Sequence, residues 1–154
     1  MLHFAYGSNM HRAIMRKHAP AAEPTGVAML ADYRFVITSD GYASVEPAAG
    51  KSVYGLAWRL TPRDRVTLDA WENVAGGLYR AETLPVQQSG QRIPALIYIA
   101  RETPAGRPRR GYMEVVVEAA RLLELPADYI ACLEEWLPKG SDDSAAGPEF
   151  GEFI

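Results

Sequence analysis

Apolar and polar positions first alternate at the N-terminus. Leu2, Phe4 and Tyr6 alternate with His3 and Ala5, the period-two pattern of a strand. Gly7, Ser8 and Asn9 break that pattern, and a helical run follows over about residues 10–18, with Met10, Ile14 and Lys17 in line. Ser and Asn suit a helix cap because their side chains accept hydrogen bonds from first-turn N–H groups. The stretch is therefore either a well-made strand-to-helix turn or a seat for a carboxylate or phosphate at the positive end of a helix dipole.

Pro20 and Pro24 bracket a loop, and an extended run over 26–38 follows, with Asp32 as a bend. Asp40-Gly41 signals a hairpin leading to a short strand near 42–45; Pro47 and Gly50 turn the chain again before a buried strand over 53–60. Thr61-Pro62, with Asp64 behind it, opens a helix that carries Leu68 and Trp71 towards the core and runs out near Asn73. Gly76-Gly77 releases strands over 78–87 and 93–100, joined at Ser89-Gly90. Residues 101–110 read as loop, and helices are expected over 111–124 and 126–137, the second with Tyr129, Leu133, Trp136 and Leu137 on its apolar face. Strands outnumber helices and mostly follow one another directly. The expected class is α+β, with a curved or closed antiparallel-rich sheet.

Composition narrows the function classes. The 154 residues, 48% of them hydrophobic, suit one domain, taken as 1–138, with 139–154 as a flexible polar tail. A net charge of −3 gives no electrostatic reason to expect nucleic acid or an acidic membrane as partner. Cys132 is alone, no signal peptide or membrane-length apolar run is evident, and a cytoplasmic protein is expected.

Glu72 stands out among the candidate groups. It follows Leu68 by four positions, so it shares that residue's side of the helix, and it sits at the C-terminal end, where the dipole disfavours negative charge. Such a carboxyl either points to water at a frayed helix end or, partly buried, titrates near neutrality and transfers protons. Asp69 lies on a different face, so no paired-carboxylate site is indicated. His3, His11 and His18 form no metal signature. Ser8 lacks the second glycine of a nucleophile elbow, and the turn lacks the lysine of a P-loop. Arg101, Arg107, Arg109 and Arg110 form either a solvated loop or a border that favours carboxylate-bearing ligands; Tyr112 is either a core aromatic or a pocket hydroxyl.

Together these residues resemble the gamma-glutamylcyclotransferase family, including its AIG2-like and antibiotic-biosynthesis branches. The resemblance spans about residues 2–137. It is carried by Phe4-Ala5-Tyr6-Gly7-Ser8-Asn9-Met10; Gly26, Leu30 and Asp32-Tyr33-Arg34-Phe35; Val53-Tyr54-Gly55 with Trp58; Leu68-Asp69 through Glu72 with Leu78-Tyr79; and Tyr112 with Leu125-Pro126 and Tyr129. It implies a small mixed, mostly antiparallel β-barrel flanked by helices. It also implies a glutamyl-binding turn at Gly7, Ser8 and Asn9 with flanking Tyr6 and Met10, a substrate-contacting Tyr112, and Glu72 as the catalytic acid. No cofactor or metal is implied. The implied activity releases 5-oxoproline and a free amine or amino acid from a small gamma-glutamyl amide. The competing readings are a cyclotransferase for a gamma-glutamylated biosynthetic intermediate and a non-catalytic module binding an amino-acid-like ligand. Where the family often has Gly-Ala before Leu-Pro, this chain has Ala119-Ala120. Asn9 departs from the Tyr-Gly-Ser-Leu and Tyr-Gly-Thr-Leu turns of the glutathione-specific and gamma-glutamylamine branches.

Overall fold

The computed structural model describes residues 1–101 and 105–139. The expected tail at 139–154 lies, from residue 140 on, outside the described residues. In chain order the elements are β1 (Leu2–Ala5), a 3-10 turn (Ser8–Met10), α1 (Arg12–His18), β2 (Glu23–Ile37), β3 (Ala43–Arg59), α2 (Pro62–Trp71), β4 (Tyr79–Gln88), β5 (Gln91–Ala100), α3 (Tyr112–Leu122) and α4 (Ala127–Glu134). The five strands close a barrel in the order β1-β3-β2-β4-β5. All pairings are antiparallel except the seam, where His3 of β1 pairs in parallel with Leu96 of β5. The α+β class expected from the strand pattern and the small mixed barrel implied by the resemblance are both what is observed.

Closure explains one departure from the alternation rule. β1 is buried on both faces, so His3 and Ala5 are as enclosed as Phe4 and Tyr6. A second departure lies in β3. Pro47 and Gly50 do not divide it; the strand runs unbroken for 17 residues. Register shifts instead, from Ala31 opposite Ser52 to Tyr33 opposite Pro47, leaving residues 48–51 to bulge opposite Asp32. Asp32 takes a φ of +63°, and its carboxylate accepts the Gly50 N–H at 3.0 Å. The bend at Asp32 was legible; its partner bulge read as two turns.

Local chemistry fixes the other junctions. Thr61 and Asp64 form a reciprocal capping box at the start of α2, with Pro62 at its first position. Ser89 and Gly90 both take positive φ, the requirement of a type I′ hairpin between β4 and β5. Helix α3 buries Met113, Val115, Val116, Val117, Ala119 and Ala120. Among the described residues no helix is long and apolar enough to cross a membrane.

Candidate active site

Two close approaches shape the turn after β1. At Gly55 of β3 a Cβ would sit 2.2 Å from the Ala5 carbonyl oxygen, so only glycine lets β3 pass the end of β1. At Gly7 a Cβ would lie 2.8 Å from the Tyr112 hydroxyl and 3.3 Å from the Ala43 Cβ. Glycine there lets the Tyr112 hydroxyl press against the turn.

The expected cap by Ser8 or Asn9 is not what forms. Ser8, Asn9 and Met10 make a short 3-10 turn, with Met10 N–H donating to the Gly7 carbonyl at 3.0 Å. His11 caps α1 instead, its Nδ1 accepting the Ala13 N–H at 3.3 Å. The α1 dipole therefore begins beyond the turn, and any ligand at residues 7–9 is met by local polar groups.

Tyr112, the first residue of α3, is buried against this turn. Its hydroxyl accepts the Ala43 N–H at 3.3 Å and engages the backbone and hydroxyl of Ser8. Burial pushes its pKa up to about 12, partly opposed by those donors, so it stays a neutral phenol. Of its two possible roles, core aromatic and pocket hydroxyl, the fold gives it both.

Glu72 caps the C-terminus of α2, its N–H bonded to the Leu68 carbonyl at 2.9 Å. It faces the same cavity as the turn, among Tyr6, Tyr79, Tyr98 and Tyr112. Among the described residues no cation or hydrogen-bond donor reaches its carboxyl, and burial alone raises its pKa from 4.5 to about 7. The surrounding phenols are themselves held. Tyr79 donates to the Ala43 carbonyl at 2.7 Å, Tyr98 to Asp69 Oδ1 at 2.6 Å, and Tyr6 to the Tyr98 carbonyl.

The cavity thus gathers Tyr6, Gly7, Ser8 and Asn9 with Glu72, 63 positions beyond Asn9, and Tyr112, a further 40 positions on. Met10 does not join them; its side chain is buried in the core and does not line the cavity. None of Arg101, Arg107, Arg109 or Arg110 lines the cavity, and Arg109 is committed to the Asp40 carbonyl at 2.8 Å and to the Tyr42 ring at 4.6 Å. Sequence reasoning missed His3, His18, Trp71 and Tyr98 as wall residues. For Trp71 the available signal was adjacency to Glu72; for the histidines it was a polar residue inside an otherwise apolar strand and at a helix end. Asp69 was set aside for lying on another face, yet it anchors Tyr98 and pairs with Arg65 at 2.9 Å.

The chain as a whole is similar to known proteins. Gamma-glutamylcyclotransferase from Homo sapiens is 26% identical over 139 residues, covering 83% of this chain and 74% of its own length. The protein of that name from Bos taurus is 28% identical over the same coverage. A solved structure of a gamma-glutamyl cyclotransferase superposes with a TM-score of 0.86 at 25% identity, covering 97% of this chain and 94% of its own. The model of the AIG2-like family matches residues 52–133, which include α2, Glu72 and Tyr112. With more than half of its length inside that match, the chain belongs to the AIG2-like family.

Proposed function

We propose that the chain is a gamma-glutamylcyclotransferase, converting a gamma-glutamyl amide into 5-oxoproline and a free amine, with Glu72 as the proton-transfer group. The observation that carries the site assignment is the Glu72 carboxyl, unpartnered and titrating near 7 in the cavity that also holds the Gly7-Ser8-Asn9 turn and Tyr112. The curated relatives of the same name support the activity.

The substrate brings its own nucleophile. Its α-amine is placed to close a five-membered ring on the γ-carbonyl, and orientation alone can supply about 7–11 kcal/mol of such a barrier. The amine is an ammonium at neutral pH. The Glu72 carboxylate takes one proton, the freed amine attacks the γ-carbon, and a C–N bond forms as a tetrahedral oxyanion develops. The ring nitrogen sheds its second proton as the original amide C–N bond breaks, Glu72 returns the first to the departing nitrogen, and the released amine takes up the second to leave as an ammonium. A pKa near 7 suits both halves of this exchange, since the acid and base forms are similarly populated. The turn, the buried Asn9 side-chain oxygen and the Tyr112 hydroxyl hold the glutamyl group while this happens.

The test is single-turnover formation of 5-oxoproline from a panel of gamma-glutamyl amides by wild type and Glu72→Gln. Wild type should cyclise, and the variant should bind but lose about 10²–10⁴-fold in rate. Near-normal cyclisation by the variant removes Glu72 from the mechanism; binding with no cyclisation by wild type makes the chain a binding module.

A further inference from the structure

The end of the cavity away from the turn has no role in the chemistry above. Its wall includes His3, His18, Trp71 and Tyr98. β1 separates His3 from Gly7 by about 13 Å at about 3.3 Å per residue, and α1 carries the chain back to His18. Both histidines are 3% exposed. His3 Nδ1 lies 3.0 Å from the Leu96 carbonyl oxygen. A carbonyl only accepts, so Nδ1 carries the proton and Nε2 presents a lone pair. That lone pair has no partner among the described residues, and neither does either ring nitrogen of His18. The His18 ring instead lies on Trp71, centroids 4.1 Å apart and planes tilted by 32°. Burial lowers the pKa of both histidines to about 4, so both rings are neutral at pH 7.

Positive charge is missing from this wall. All 16 Lys and Arg residues fall within the described residues, and none lines the cavity. Arg65, whose field is felt at His3 and Tyr98, is bound to Asp69. A carboxylate entering the recess would lose its water and find no cation, while Glu72 stands beside Trp71 as a second negative group. A flat uncharged body would lie against the ring walls with no such cost.

Resting on the cyclotransferase reading, we infer that the leaving group is a carboxylate-free amine with a flat, aromatic body, held in the recess of His3, His18, Trp71 and Tyr98. The site therefore favours gamma-glutamyl amines over gamma-glutamyl amino acids. This assignment comes from the recess and not from the turn, whose Asn9 is unlike the gamma-glutamylamine branch.

Two ligands that differ by one carboxylate decide it: gamma-glutamyl-phenethylamide and gamma-glutamyl-phenylalanine. Calorimetry with Glu72→Gln measures binding without turnover, and 5-oxoproline release by wild type measures chemistry. The phenethylamide should bind, and be consumed, at least roughly tenfold better. In the Glu72→Gln background, Trp71→Leu should weaken phenethylamide binding by roughly tenfold and leave gamma-glutamyl-methylamide, which is too short to reach the ring, unchanged. Retained methylamide binding shows that the variant is folded; if it is lost, His18→Ala is the second variant, with the same expected pattern. Equal or tighter binding of the phenylalanine compound overturns the inference. Should wild type cyclise neither compound, the binding ratio still decides what the recess accepts, and the wider panel above decides the cyclotransferase reading.

Discussion

The two ends of the cavity are built on opposite principles. At the turn, polar groups are packed tightly and held by one another: Tyr112 is pinned by Ala43 and Ser8, and Gly7 leaves no room for a methyl group. At the other end two neutral imidazoles are enclosed with three ring nitrogens unbonded among the described residues. Glu72 stands between, half-buried and unpaired, with its pKa driven the other way from those of the histidines by desolvation. The difference teaches that a rigid polar end can define the group common to all substrates, while an uncharged ring-walled end sorts the group that varies by its charge and shape.

The comparison can be broken from the middle outwards. Glu72→Gln, with the loss of about 10²–10⁴-fold expected above, should leave binding at both ends intact. The pH profile sharpens the same point: wild-type kcat/KM should rise with pH through about 7 as Glu72 ionises, and a profile flat from pH 5 to 8 would separate Glu72 from the proton transfer. Gly7→Ala attacks the rigid end alone. Its methyl group must displace the Tyr112 hydroxyl, and an affinity loss of roughly 10–100-fold for every gamma-glutamyl ligand is expected, whatever the leaving group. A loss that depended on the leaving group would show that the ends are not separate.

Stability against pH reads the unsatisfied end. The histidines' folded pKa values of about 4 lie below the usual 6.5, so the unfolded chain binds more protons between them. Their contribution is complete above about pH 6.5 and is lost as pH falls through 4, on the order of 3 kcal/mol per ring. His18→Phe keeps the ring on Trp71 and removes one titration, so urea melts at pH 7 and 4.5 should lie closer together than for wild type. Glu72 acts in the opposite sense. Its folded pKa of about 7 lies above the usual 4.5, so its contribution is complete below 4.5 and is lost as pH rises through 7. Glu72→Gln should therefore raise Tm at pH 8 and leave it unchanged at pH 4.5. A smaller gain at pH 8 than at pH 4.5 would contradict the assigned burial of this carboxyl.

Much of this was legible in the sequence, wherever the cause was local. Thr61-Pro62, Ser89-Gly90 and the bend at Asp32 act through neighbouring residues, and each element they delimit formed. Glu72 was legible because a helix end and an apolar face are both short-range facts. The resemblance supplied Tyr112, which no local signal could separate from core. The imidazole recess was not legible, because it needs β1 and α1 to return to one place and the end of α2 to meet them there. Residues 48–51 misled for a similar reason: a bulge is defined by the partner strand, and Pro47 with Gly50 looks identical whether the strand ends or bulges.

The seam of the barrel has a consequence for the order of folding. His3 reaches Leu96, 93 positions later, through both its strand pairing and its side chain. Contacts of such long range form against a large loop-closure entropy, so β1 should be the late-docking strand and the hairpins of β2–β3 and β4–β5 the early ones. The cavity then comes into existence only with that last closure, since β1 supplies His3 and leads into the turn. A bound substrate would act as a clasp across the seam, and amide hydrogens of β1 should exchange faster than those of β2 and β3 until ligand is added, slowing then in proportion to its concentration above Kd.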